Sequence, residues 1–225
     1  MRGFRLAMTA LLVLLPAPAL AAGGAHIVDD AAVEEPGQCH FENWATLASG
    51  HAGLANVSPA CTLRSLPMVE LGGFIAHGWT LDNDDTLIGL SPKLMLRSED
   101  RGIGVGIATS LAYGIDRRRL ETASAIAALT VPASMGLRIN LNGGWQWSRI
   151  GTKHDLFVGA QAEVALTDNL IWMGEAFARA QGKMGEQVGL RWTSAGGGMD
   201  IDLLAGRYLD GATPNAVTLG ITLRP

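Results

Sequence analysis

From Met135 to Ser148 the chain alternates between two kinds of residue. Met135, Leu137, Ile139, Leu141, Gly143, Trp145 and Trp147 fall on one parity, and Gly136, Arg138, Asn140, Asn142, Gly144, Gln146 and Ser148 on the other. Successive side chains of a strand point to opposite faces, so this stretch predicts a strand with one apolar and one polar face. The period recurs where Ile103, Val105, Ile107, Leu111, Tyr113 and Ile115 oppose Gly104, Gly106, Ala108, Ser110, Ala112 and Gly114. It recurs again where Leu156, Val158, Ala160, Ala162, Val164 and Leu166 oppose Gly159, Gln161 and Glu163, and where Val217, Leu219, Ile221 and Leu223 oppose Thr218, Gly220, Thr222 and Arg224.

Turn residues divide the chain into strands near 39–48, 54–63, 68–79, 86–97, 103–115, 121–131, 135–148, 154–166, 170–180, 185–193, 199–208 and 216–224. The lengths match the ~9 to 11 residues that a tilted strand needs to cross a bilayer. A soluble sandwich also alternates, but its outward face is rich in Lys, Glu and Thr. Here the polar face carries little charge and much glycine and alanine, as a narrow lumen requires, while the large apolar residues suit lipid. The expected fold is therefore all-β, an antiparallel up-and-down transmembrane barrel of about twelve strands, ten at the fewest. A soluble periplasmic β-barrel that binds an apolar ligand is the alternative.

Composition sharpens this picture. Among 225 residues, 17% are charged and 29 are glycine, against ~25% charged and ~7% glycine in ordinary globular chains. With 17 Lys+Arg against 21 Asp+Glu there is no positive excess to neutralise phosphates, which argues against nucleic acid as a partner. Arg2 and Arg5, the apolar run Leu6 to Leu15 and the small-residue motif Ala19-Leu20-Ala21 predict a secretory signal peptide over residues 1–21. Residues 22–38 hold four acids and no bases, so they are expected to be a flexible, solvated periplasmic segment ahead of a barrel over 39–225. Metal binding by His26, Asp29 and Asp30 there has no recognised ligand spacing behind it.

A hairpin centred on Gly50 places Cys39 opposite Cys61, and an oxidising compartment would favour a cross-strand disulfide closing it. The alternative is two free thiols.

The parity that faces inward supplies the candidate lumen lining: Glu70, Lys93, Arg97, Arg138, Asn140, Asn142, Gln146, Gln161, Glu163, Glu175, Arg179, Gln187, Arg191, Asp200 and Asp202. Glu163, Glu175, Arg179 and Arg191 lie on consecutive strands and could form a ladder of ion pairs. Such a lumen is either a narrow polar channel for small solutes or a barrel held shut by its own pairs. The connections between strands are too short to fold into a large plug or lid. No serine stands in a nucleophile-elbow sequence, and His51, His77 and His154, near the expected outer edge, are of the kind more often interfacial than catalytic, so neither an enzyme nor a cofactor is expected.

The C-terminal third carries short motifs: Leu166-Thr167-Asp168-Asn169-Leu170, Gly174-Glu175-Ala176-Phe177, Gln187-Val188-Gly189-Leu190-Arg191-Trp192, Asp200-Ile201-Asp202-Leu203, Gly206-Arg207 and Val217-Thr218-Leu219-Gly220-Ile221-Thr222-Leu223. Over about residues 68–225 the chain resembles the outer-membrane barrels of the MetA-pathway phenol-degradation family. The resemblance implies an outer-membrane location, lipid and the barrel-insertion machinery as partners, and passage of small, often aromatic, compounds.

Overall fold

The computed structural model describes residues 25–134, 136–149 and 153–225. The expected signal peptide over 1–21 and Met135 lie outside the described residues. Thirteen strand segments follow one another: β1 (Cys39–Ala48), β2 (Ala52–Thr62), β3 (Val69–Trp79), β4 (Asp84–Leu90), β5 (Lys93–Arg97), β6 (Gly104–Gly114), β7 (Arg119–Ser134), β8 (Leu137–Ser148), β9 (Lys153–Thr167), β10 (Leu170–Arg179), β11 (Gly185–Thr193), β12 (Met199–Arg207) and β13 (Ala216–Leu223). Apart from β4 and β5, which do not pair with each other, each pairs antiparallel with its neighbours in sequence, and β1 pairs with β13 from Phe41↔Leu223 to Ala48↔Ala216, so the sheet closes on itself.

β4 and β5 share one place in the wall, because both lie between β3 and β6. Ser91-Pro92 separates them: proline has no N–H to give to the ladder. Thirteen segments with two sharing a place make a ring of twelve, where the periodicity predicted one uninterrupted strand over 86–97. A short 3₁₀ turn at Glu99–Arg101 follows β5.

The outward parity is a continuous apolar band. Leu47, Leu90 and Leu156 are 65%, 63% and 71% exposed, and Ile75, Val158, Val188, Leu203 and Val217 are exposed around the ring. An exposed apolar surface of this extent is far beyond what a soluble monomer presents, and a closed ring leaves no strand edge unpaired in lipid. The Cys39–Cys61 disulfide forms as the spacing predicts, on facing residues of the β1–β2 hairpin with Cα atoms 4.0 Å apart. Gly50 turns that hairpin with φ of 80°, a conformation that side chains disfavour.

Candidate functional site in the barrel lumen

Of the acidic segment expected as a solvated tail, residues 25–34 lie inside the ring, while residues 35–38 are exposed. Val28 is 1% exposed, Ala31 2% and Asp29 5%. A chain entering a barrel must find partners for its backbone N–H and C=O groups away from water, and here wall side chains supply them. Glu175 on β10 accepts from the N–H groups of Ile27 and Val28, at 2.9 and 3.0 Å. Asn142 on β8 accepts from Asp29 N at 2.8 Å and donates to Asp29 O at 2.7 Å. Thr130 Oγ1 on β7 accepts from Ala31 N, Glu70 on β3 accepts from Glu34 N, and Gln187 on β11 donates to Ala25 O.

Charge and packing hold the segment as well. Lys93 Nζ donates to Asp29 and Asp30, both at 2.9 Å, and Arg138 reaches Asp30 at 3.0 Å. Arg224 pairs with Glu34 at 2.8 Å. One ammonium thus faces two carboxylates. Burial pushes Asp29 up to about 7 against the pull of Lys93. For Asp30 burial acts in the same sense but is outweighed by Lys93 and Arg138, which hold its carboxyl well below the usual range. Val28 packs with Ile126, Phe157 and Phe177, and Ala25 with Met173 and Leu204.

Room for the segment comes from inward glycines. A Cβ on Gly106 would lie 2.9 Å from Ala31 O, one on Gly159 2.7 Å from Val28 Cγ2, and one on Gly220 3.0 Å from Ala25 Cβ. Gly106, Gly159 and Gly220, all of the inward parity, therefore leave room for the chain's own internal segment.

Of the residues expected to line the lumen, Glu70, Lys93, Asn140, Asn142, Gln146, Gln161, Glu175, Gln187, Asp200 and Asp202 are buried, and Arg138, Glu163, Arg179 and Arg191 are half-buried. Arg97 is the correction: it is exposed and donates to the carbonyl of Arg101. A bulge between Met95 and Arg97 shifts the register there, so the parity rule fails one residue before the strand ends.

The expected ladder does not form. Glu163 pairs with Arg138 at 3.2 Å, Arg191 with Asp202 at 2.7 Å, and Arg179 Nε donates to Gln146 at 3.1 Å. Register is the reason: Glu175 stands opposite Gln161 on one side and Gln187 on the other, so it is left free to bind the segment. Gln187 Nε2 donates to it.

The parity reading also missed an apolar layer inside the ring. Phe74 packs with Ala76, Leu87 and Ala112, and Arg179 lies over the rings of Phe157 and Phe177 at 5.6 and 5.5 Å. The signal was present in the sequence: Phe157 shares its parity with Gln161 and Glu163, and Phe177 with Glu175 and Arg179. Between the segment and the walls of β1, β2, β3, β5, β9, β10, β11 and β13 lies a polar cavity of about 290 Å³, lined among others by His40, Glu42, Glu70 and Lys93.

A family model described as uncharacterised conserved protein UCP029691 matches residues 10–225. The chain belongs to that family. The match is to this family, and not to the phenol-degradation family that the C-terminal motifs resemble. Comparison with curated proteins gives no match. Among solved structures, the KdgM porin is similar with a TM-score of 0.63 at 9% identity, covering 82% of this chain and 98% of that one. The NanC porin gives 0.62 at 8% identity, over 81% and 98% of the two chains. The COG4313 outer membrane channel from Pseudomonas putida F1 gives 0.64 at 11% identity, over 87% and 98%. At these identities the likeness shows the fold, a small porin-type barrel.

Proposed function

We propose that this family member is an outer-membrane channel for small solutes whose lumen is occupied by its own segment of residues 25–34. The observation that supports this most is the way the segment is held. Its partners are side chains of a closed, porin-type wall, through hydrogen bonds and ion pairs that can exchange for water or solute. The apolar outward band supports a membrane location, and the porin and channel neighbours support passage of solutes over chemistry on them. An aromatic solute would meet Phe157 and Phe177, with Arg179 lying over both rings.

A closed structural barrel is the second reading, favoured by the cluster of Val28, Ile126, Phe157 and Phe177 across the lumen. Planar-bilayer recordings separate the two. The full chain is expected to give small or rare conductance steps, and a chain lacking residues 25–34 large and sustained ones. No steps from either protein, with heat-modifiable gel migration showing both folded, would leave the structural barrel.

A further inference from the structure

The polar cavity is short of positive charge. Six carboxylates line it against Lys93, Arg191 and Arg224, together with His26 and His40. The three permanent cations are already engaged: Lys93 by Asp29 and Asp30, Arg191 by Asp202, and Arg224 by Glu34 and Asp200. Glu42 and Glu70 are left with one shared neighbour. Among the described residues, their only ion-pair partner is His40, at 3.9 and 3.8 Å, and Glu34 approaches the same imidazole at 3.3 Å. One imidazole thus stands among three carboxylates.

Polar atoms here also lack partners. Asp29 is 5% exposed, yet its Oδ2 makes no hydrogen bond, and His40, 7% exposed, meets its carboxylates only at 3.3 to 3.9 Å. Buried groups of this kind cost free energy unless water or a ligand satisfies them. The missing ligand must be cationic, since an anion would meet a net excess of carboxylates. N–H donors suit the site better than a bare metal ion, since among the described residues no group of three His, Cys, Asp or Glu side chains is placed to hold one. The cavity itself shows how an ammonium fits: Lys93 Nζ sits 2.9 Å from each of two carboxylates. At about 290 Å³ the space is at the small end of ligand cavities.

We propose that this cavity binds a small organic cation, an aliphatic amine or diamine, with Glu42, Glu70 and the free oxygen of Asp29 receiving its ammonium groups. As a solute class for the channel, the proposal rests on the reading above. As a binding site it is tested without it.

Calorimetric titration of the full chain in detergent with 1,4-diaminobutane, and with butanedioate as the anion of matched length, reads the site directly. The diamine is expected to bind and butanedioate not. Glu42→Gln and Glu70→Gln should each weaken the diamine roughly 10-fold or more, the effect of one lost charge-assisted hydrogen bond. Retained heat-modifiable migration shows that the variants fold. No heat with the diamine, equal binding of the dianion, or unchanged affinity in both variants would overturn the proposal. Reversal potentials in bilayers keep the two readings apart. Diamine binding without channel events removes transport and leaves the site, whereas channel events without diamine binding remove the site and leave the channel.

Discussion

Val28 occupies the space that a side chain on Gly159 would need, its Cγ2 lying 2.7 Å from where that Cβ would stand. The wall of β9 and the internal segment are thus complementary at a single glycine. Gly159→Leu is expected to expel the segment while leaving the ring, and to raise bilayer conductance towards that of the chain lacking residues 25–34. Gly143, whose Cβ would meet nothing within 4 Å, is the control position. Equal conductance of Gly159→Leu and the parent chain would contradict this.

Lys93→Met removes the ammonium shared by Asp29 and Asp30. Stranding a buried carboxylate costs about 3 to 5 kcal/mol. The segment should therefore spend much more time outside the lumen. A cysteine introduced at Ala32 reports this through its rate of maleimide labelling, which is expected to rise by at least tenfold in the Lys93 variant.

Acidity is expected to hold the segment in. Buried Asp29 titrates at about 7 in the docked chain against an ordinary 3.8, so the docked state keeps its proton over an interval in which the released state has lost it. Burial alone would lower His26, but Asp202 and Glu175 raise it above its ordinary value, which again favours docking below neutrality and is lost as pH rises. Both groups act in one direction, so labelling at Ala32 should slow as pH falls from 8 to 5. The Glu34 carboxyl, lowered by His40 despite its burial and helped by Arg224, acts in the opposite sense only at more acid pH. Asp29→Asn should flatten most of the slope, and a steep slope surviving in Asp29→Asn with His26→Gln would refute the assignment.

The disulfide closes a span of 22 residues in the first hairpin. Reduction, or Cys39→Ser with Cys61→Ser, is expected to cost about 3 kcal/mol on the chain-entropy model. The temperature at which gel migration changes should fall by several degrees, with conductance unchanged.

Leu141, 41% exposed midway along β8, tests the outward band. Leu141→Arg should destabilise the barrel by about 2 to 4 kcal/mol in lipid, measured by urea unfolding from vesicles. An effect near zero would place this face in water.

Much of the wall was legible because strand parity and turn residues are local. Trp145 and Gln146 announce opposite faces wherever the rest of the chain goes, and Cys39 and Cys61 are equidistant from Gly50. The internal segment was not legible for the opposite reason. Ile27 and Val28 are bonded to Glu175, 148 and 147 positions away, and nothing near them in sequence offers that partner. Four acids without a base read as a solvated tail until Lys93, Arg138 and Arg224 arrive from distant strands. Arg97 and Phe157 fall between these cases: the first lies beyond a bulge that parity cannot see, and the second has inward parity but is a large apolar side chain where small or polar ones are expected.

The anchors of the internal segment are spread over β3, β5, β7, β8, β10, β11 and the residue following β13. No half of the ring could hold it. The full set of anchors is brought together only in the ring that β13 and β1 close, so a docked segment implies a closed ring. A docked segment is then expected to mark a closed barrel, and its protection from a protease or labelling reagent reads that closure at residues that belong to no strand.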